Sequence, residues 1–285
     1  MPRKFDLETE KEILNKYKNG LSFRQLSVKY ECSLPTIRRM LKINGIIINS
    51  IPNKKYEVNE NYFENIDTEE KAYWLGFLYV DGYVRMIHGR SGQLKLKLHQ
   101  KDKRHIELFR KCLNSTHPIK DGLEILKKNN REYKCYYSVL NIYSTKMVKD
   151  LFNNGCMNNK TFKLKFPEWL REDLIRHFIR GYFDGDGCIY LNNKALDGYF
   201  RSKCNFLGNM GFITKIKEKL ENIIGKIPAI VKRHNIYSLD VNARNKVKEL
   251  LNYLYDDSTI YLNRKYDKYK YFLKSKENYE RTIKN

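Results

Sequence analysis

From residue 67 onward the apolar positions change period in a regular order, and that order runs twice. Residues 94–99 show the two-residue period most plainly. Leu94, Leu96 and Leu98 alternate with Lys95, Lys97 and His99. Side chains on a strand point alternately to its two faces, so one face packs inward and the other is basic. Asp67-Thr68-Glu69-Glu70 supplies a cap and first-turn acids for a helix that runs to Gly82. Strands are expected at 83–88 and 94–99, joined by a turn at 89–92, then a helix at 101–113 that offers Ile106, Leu108, Phe109 and Leu113 for burial. Strands at 119–126 and 133–142 flank a turn at 127–130, and a short helix spans 145–152. Residues 155–166 connect to a second long helix ending at Gly187. After it come strands at 187–191 and 199–206, a helix at 211–223, strands at 228–233 and 236–241 around His234-Asn235, and a helix at 243–254. Each half therefore reads αββαββα, an α+β class. A repeat this long that occurs only twice suits a pseudo-dimer within one chain, and hence a monomer. Residues 261–285, basic and rich in tyrosine, are expected to form a final helix.

Residues 1–50 have a helical period of their own. A charged amphipathic helix at 7–18 is stopped by Asn19-Gly20. Ser22-Phe23-Arg24-Gln25 has the form of a capping box and starts a second helix that ends near Tyr30. Ser33 caps a third, with Pro35 in its first turn and Ile37, Met40 and Leu41 on its apolar face. Two helices separated by a tight turn match the helix-turn-helix pattern, and Gln25 to Arg39 resembles its DNA-binding versions. Glu31 departs from them, since such turns usually carry glycine. The resemblance implies that the third helix enters a major groove and presents Thr36, Arg38, Arg39 and Lys42. A small helical bundle with a solvated basic face is the alternative. Residues 51–66 lack helical periodicity and read as a linker lying along DNA, which divides the chain into 1–50, 51–66, 67–166 and 167–285.

The two long helices share one stretch. Phe178-Ile179-Arg180-Gly181-Tyr182-Phe183-Asp184-Gly185-Asp186-Gly187 ends in carboxylates and glycines. Gly181 and Gly185 lie on one helix face and allow another helix backbone to approach. Gly187 is expected to stop the helix in the left-handed conformation. Asp186 opposes the helix dipole, so something else must favour a negative charge there. About a hundred residues earlier stands Tyr73-Trp74-Leu75-Gly76-Phe77-Leu78-Tyr79-Val80-Asp81-Gly82. Aligned on the final Asp-Gly, Gly76 falls on Gly181, Val80 on Gly185 and Asp81 on Asp186. Two such helices packed about a pseudo-two-fold axis bring Asp81 and Asp186 side by side. Asp184 has Tyr79 as its counterpart and is therefore supporting. A calcium loop starting at Asp184 fails, because its sixth position is Ile189 and its twelfth Ala195.

Residues 74–82 and 179–187 resemble the nonapeptide of the LAGLIDADG homing endonucleases, and the second copy is the closer match. The resemblance covers residue 67 to the end of the chain. It implies a saddle of two sheets that reads a long double-stranded target in the major groove, and double-strand cleavage with Mg²⁺, for which Mn²⁺ substitutes. Divalent metal held by carboxylates neutralises phosphate charge and activates water, and Mg²⁺ needs only one or two protein carboxylates. The candidate metal set is Asp81, Asp186, Gly82 and Gly187. Gln100 matches a water-organising glutamine of that family. Its counterpart in the second half is not readable from the residues, where Lys203 and Lys232 are the candidates. Candidate DNA contacts on the sheets are Lys95, Lys97, Arg201, Lys203, Lys232 and Arg233.

Charge agrees with a polyanionic partner: 55 Lys+Arg against 33 Asp+Glu give a net +22 over 285 residues. No stretch approaches the ~18 apolar residues of a membrane span. The six cysteines form no C-x-x-C pair and no zinc spacing, so reduced thiols and a cytoplasmic or organelle-matrix setting are expected. The competing function is a non-catalytic nucleic-acid binder on the same scaffold, either a transcription regulator or an intron-splicing maturase. Two intact motif acids favour the enzyme.

Overall fold

The computed structural model describes residues 5–46, 55–87, 91–128, 131–157, 163–192 and 201–284. It divides into two compact units, Met1–Lys55 and Tyr56–Asn285. No helix among the described residues is long and apolar enough to cross a membrane.

The first unit is three helices, α1 (Leu7–Lys18), α2 (Phe23–Lys29) and α3 (Leu34–Ile43). Each begins where a side-chain oxygen replaces the missing helical acceptor: Asp6 for α1, Ser22 with the full capping box for α2, and Ser33 for α3. Ile13, Leu26, Ile37 and Leu41 are fully buried at their centre. The turn between α2 and α3 keeps the left-handed residue that glycine usually supplies, but Glu31 occupies it at φ 45°. A side chain there costs roughly 1–2 kcal/mol. Glu31→Gly is therefore expected to stabilise this unit by about 1 kcal/mol, read as a higher urea midpoint with an unchanged slope.

The second unit starts at Tyr56, earlier than the linker boundary read from the sequence. Residues 51–54 lie outside the described residues, but those that follow are packed down. Thr116 N donates to Glu57 O (3.0 Å) and Asn59 N to Leu113 O (2.9 Å). Tyr62 and Phe63 are buried, and the Tyr62 hydroxyl donates to Glu70 (2.6 Å). Two aromatic side chains beside the first motif helix were enough to draw this segment into the core.

Two antiparallel sheets of the same design follow. The first is ordered β1-β2-β4-β3, from β1 (Gly82–Ile87), β2 (Ser91–His99), β3 (Ile119–Lys128) and β4 (Arg131–Tyr143). The second is ordered β5-β6-β8-β7, from β5 (Cys188–Asn192), β6 (Arg201–Gly208), β7 (Val231–Arg233) and β8 (Ile236–Val241). Helices α4 (Glu69–Asp81), α5 (Lys103–Cys112) and α6 (Thr145–Asn153) belong to the first half, and α7 (Glu172–Asp186), α8 (Met210–Ile224) and α9 (Arg244–Tyr255) to the second. The αββαββα order holds in both. A further helix, α10 (Asn263–Lys284), follows α9. One face of each sheet enters a shared core, through Val84, Leu94, Leu96, Leu140 and Ile142 in the first and Ile189, Cys204, Phe206, Leu239 and Val241 in the second.

Helices α4 and α7 form the centre. A helix apolar on all sides must be buried on all sides, and Ala72 through Tyr79 of α4 are all buried. The glycines set how close the pair lies. A Cβ on Gly181 would stand 1.9 Å from the Tyr73 carbonyl oxygen, and one on Gly76 would stand 2.0 Å from that of Phe178.

The expectation that Gly187 ends its helix in the left-handed conformation is corrected. Gly82 and Gly187 have φ −73° and −67°, extended backbone that passes directly into β1 and β5. Glycine is required there for space. A Cβ on Gly187 would meet the Phe183 ring at 2.2 Å, and one on Gly82 the Leu78 carbonyl oxygen at 2.7 Å.

Candidate active site

Asp81 and Asp186 are the last residues of α4 and α7. The packing one residue earlier brings the helix ends together: Val80 lies against Gly185, where a Cβ would be 2.8 Å from its own. Both acids act on one ammonium, Lys265 in the first turn of α10. Lys265 is 3% exposed. It donates to the Phe183 carbonyl and, at 2.5 Å, to the Gly187 carbonyl. The Phe183 carbonyl also accepts the Gly187 N–H (2.8 Å), and Gly187 caps α7, so the cation stands at the negative end of that helix and offsets it. Burial pushes its pKa down to about 8, while Asp184, Asp81 and Asp186 pull it up. Part of what tolerates an acid at the end of α7 is thus a buried cation from the far end of the chain.

Asp186 reaches solvent at the helix end, yet its surroundings are dense. Their desolvation raises its pKa, and the Lys265 charge opposes the rise. Asp184 is fully buried. It accepts from the Tyr255 hydroxyl (2.6 Å), the Tyr73 hydroxyl (2.8 Å) and the Leu262 N–H (2.7 Å). Burial raises its pKa, while Lys265 and these three donors lower it. Tyr73 gives its only proton to Asp184, so His105 Nε2, 3.0 Å from that hydroxyl, must be the donor there. Burial holds this imidazole neutral, its pKa down to about 3. One carboxylate of α7 therefore ties together α4, α9 and the segment before α10, as a supporting residue should.

The segment from Tyr255 to Lys268 acts as a strap over both motif helices. Thr259 N donates to Glu69 Oε1 (3.1 Å) on α4. The buried guanidinium of Arg180 on α7 reaches Glu69 (2.6 Å), the Ile260 carbonyl (2.9 Å) and the Leu254 carbonyl (3.1 Å). Arg264 Nε donates to Asp102 of the first half (3.0 Å), and Lys268 donates to the Ile189 carbonyl (2.8 Å) on edge strand β5. Sequence reasoning gave this tail only a helix. One signal was present: no acid and two cations, Arg264 and Lys265, stand in the first turn of α10, where the dipole disfavours them.

The other site residues fall as follows. Gln100 is exposed on a short 3-10 turn, Gln100–Asp102, that ends β2, and its neighbour Asp102 is the residue bound by the strap. Gly82 is buried, and its N–H donates to the Leu78 carbonyl. The Gly187 carbonyl already serves Lys265. Lys203 is committed elsewhere, and Lys232 is exposed on β7. The buried cation at the helix ends is Lys265 instead.

On the outer face of the first sheet, Lys95 stands 4.5 Å from the centre of the Tyr83 ring and Lys97 4.1 Å from that of Tyr137, and Lys97 also pairs with Glu124. On the second, Lys203 (2.8 Å) and Arg233 (3.1 Å) share Asp240, while Arg201 is exposed. In the first unit Arg38, Arg39 and Lys42 are exposed along α3. Thr36 is half-buried and its hydroxyl is bonded to that of Ser33 (2.8 Å), so it belongs to the cap. A cleft of about 1010 Å³ lined by Tyr79, Phe166, Pro167 and Trp169 contains neither motif acid.

No family model matches the chain. Among solved structures it is similar to the LAGLIDADG meganuclease I-AabMI bound to uncleaved DNA, with TM-score 0.49 and 13% identity over 74% of this chain and 91% of that one. It is also similar to the homing endonuclease I-WcaI bound to its DNA recognition sequence, with TM-score 0.48 and 15% identity over 75% and 92%. Among curated proteins it is 26% identical over 206 residues to the replication factor C small subunit of Methanocaldococcus jannaschii, matching 67% of this chain and 10% of that protein. It is 24% identical over 107 residues to the DNA-directed RNA polymerase subunit Rpo1C of the same organism, matching 38% and 10%. The chain spans about a tenth of the length of these two relatives. Two helices locked by reciprocal glycines, an acid ending each, and two sheets of one strand order entered directly from those acids give this chain the two-repeat α+β architecture that its resemblance to the LAGLIDADG endonucleases implies.

Proposed function

We propose that the chain is a sequence-specific double-strand DNA endonuclease of the homing type. The observation that carries this reading is the pair of acids at the converging ends of α4 and α7, both acting on Lys265, each opening onto a strand of a cation-bearing sheet. Binding duplex DNA needs cations on a surface that follows the phosphates. Lys95, Lys97, Arg201, Lys203 and Arg233 on the outer faces fill that role, with Lys97 partly neutralised by Glu124 and Lys203 and Arg233 by Asp240, while the register turns Lys232 to the opposite face of β7.

The donor set fits Mg²⁺ in the form that ion prefers. Among the described residues no three His, Cys, Asp or Glu side chains gather at one point. A cage is not needed, because Mg²⁺ takes one or two carboxylates and fills its other positions with water and phosphate oxygens. Asp81 and Asp186 would hold it. The Gly187 carbonyl accepts from the Lys265 ammonium and keeps a second lone pair. When bound, the ion neutralises phosphate charge and lowers the pKa of water. The chain itself fixes the two carboxylates through the glycine contacts. Lys265 limits the repulsion between them, and Gln100 lies exposed at the end of β2, within the half that carries Asp81. The reading is tested by a cleavage selection on a randomised duplex library with Mg²⁺, which returns a target if it holds. Binding without cutting returns the non-catalytic alternative.

The first unit adds affinity through α3, which presents Arg38, Arg39 and Lys42. Each unit has its own core, so deleting residues 1–55 is expected to leave the second unit folded. Affinity for the selected duplex should fall at least about tenfold, and the salt slope should shrink by about one for each phosphate that α3 no longer neutralises. Equal affinity and equal slope in a salt titration would remove α3 from the DNA surface.

A further inference from the structure

Two residues at the starts of different helices are each at odds with their local setting. Asp102 stands at the N-cap of α5, where a carboxylate ordinarily accepts from the helix's own N–H groups, yet it makes no side-chain cap hydrogen bond. Arg264 stands in the first turn of α10, where the helix dipole disfavours a cation. Their partner is each other. Arg264 Nε donates to Asp102 Oδ2 at 3.0 Å, from the second half to the first, across 162 residues of chain. Stability does not account for the pair. The Arg264 side chain is 54% exposed, and an ion pair open to water contributes little.

What the pair does hold is the turn between β2 and α5. The register sets Gly82 opposite Leu96, so β2 runs on past the end of β1 that adjoins Asp81 and delivers Gln100 there. The His99 ring, through Nδ1, accepts from Lys101 N (3.1 Å), and Lys103 pairs with Asp121 (2.7 Å). Both contacts lie within the first half, and Asp102–Arg264 adds a hold from the second. Arg264 is itself fixed from behind. Two residues before it the Leu262 N–H donates to Asp184 of α7 (2.7 Å), and beside it Lys265 donates to the Gly187 carbonyl (2.5 Å). A continuous set of contacts therefore runs from the end of α7, through the start of α10, to Asp102 and the turn that carries Gln100.

We propose that Arg264 is a positioning residue of the candidate active site: through Asp102 it fixes the Gln100 turn relative to the end of α7, so that a polar side chain of the first half is placed by the last helix of the second. This rests on the DNA-cleaving reading above and on Gln100 acting in it. Gln100 is exposed, so its place depends on the turn beneath it. A group that organises the reacting atoms loses rate steeply when it moves by about 1 Å.

The test measures single-turnover cleavage of the selected duplex by the full chain in Mg²⁺, with affinity measured in EDTA and unfolding in urea. Gln100→Leu should lower the rate about tenfold or more, and Arg264→Gln about tenfold, with affinity within about threefold and an unchanged urea midpoint. Arg264→Lys, whose ammonium can still pair with Asp102, should return to within about threefold of the wild-type rate. Asp102→Ala forfeits no cap bond and breaks the same pair from the other side, so it should match Arg264→Gln, and the double variant should be no slower than either. The decisive comparison is made in the Gln100→Leu protein, where adding Arg264→Gln should change the rate less than about twofold. A wild-type rate for Arg264→Gln or for Gln100→Leu overturns the proposal. So does an undiminished effect of Arg264→Gln once Gln100 is gone, which would mean that the arginine acts by another route. In each case the endonuclease reading stands, because the wild-type protein still cuts. Absence of cleavage by the wild-type protein overturns both.

Discussion

Asp186→Asn is expected to abolish double-strand cleavage of the selected duplex while leaving its binding within about twofold. The substitution keeps the shape of the side chain and removes its charge at the end of α7, beside Lys265 and opposite Asp81. A carboxylate that holds the metal for phosphodiester hydrolysis contributes several kcal/mol to the transition state, so a fall of about a thousandfold or more is expected in single-turnover rate. Binding is carried by cations on the sheets and on α3, which the substitution does not touch. Asp184→Asn is the informative contrast. Asp184 is fully buried, accepts three hydrogen bonds and faces Lys265. An amide there turns a donor toward groups that already donate and leaves a buried ammonium less compensated, so that variant should lose stability. A wild-type rate for Asp186→Asn would remove this residue from the site.

Gly181→Ala is expected to cost about 3 kcal/mol or more of stability in the second unit and to abolish cleavage with it. The added methyl would stand 1.9 Å from the Tyr73 carbonyl oxygen, a backbone atom that cannot rotate away. The helix backbones must separate, and the separation spreads along an interface whose side chains are already close-packed. Separation also moves Asp186 away from Asp81, so even a folded remainder should cut poorly. Gly211→Ala is the matched control. Its Cβ would lie 3.7 Å from Asn209 Oδ1, an ordinary contact, and helix propensity favours alanine. Urea unfolding of the three proteins compares them directly. Equal midpoints for Gly181→Ala and wild type would contradict the close approach.

These two expectations concern features that the sequence made legible, for an identifiable reason. The glycine spacing and the terminal acid occur twice, and repetition turns a weak local pattern into a paired one. The alternation of residues 94–99 gave the basic sheet face by the same local logic, and Ser22 and Ser33 announced their helices through contacts three residues away. Lys265 was not legible as a site residue. Its acceptors are backbone carbonyls of Phe183 and Gly187, about eighty residues distant and carrying no side-chain signature. Arg180 is a similar case: a cation inside an apolar helix pattern whose partners are Glu69 and two carbonyls of the strap. Gly187 was expected for the right position and the wrong reason, because the sequence does not reveal how closely the Phe183 ring lies. The sheet cations were legible as charges, but their neutralisation by Glu124 and Asp240 depends on register between strands well separated in the chain.

The most direct test places the selected target on a supercoiled plasmid and follows its conversion with purified full-length protein, in Mg²⁺ and in EDTA. Cleavage of both strands through two metal-holding acids requires linear plasmid to form in Mg²⁺ and none in EDTA. Linear product in EDTA, or a plasmid that is bound in Mg²⁺ but never cut, would contradict it.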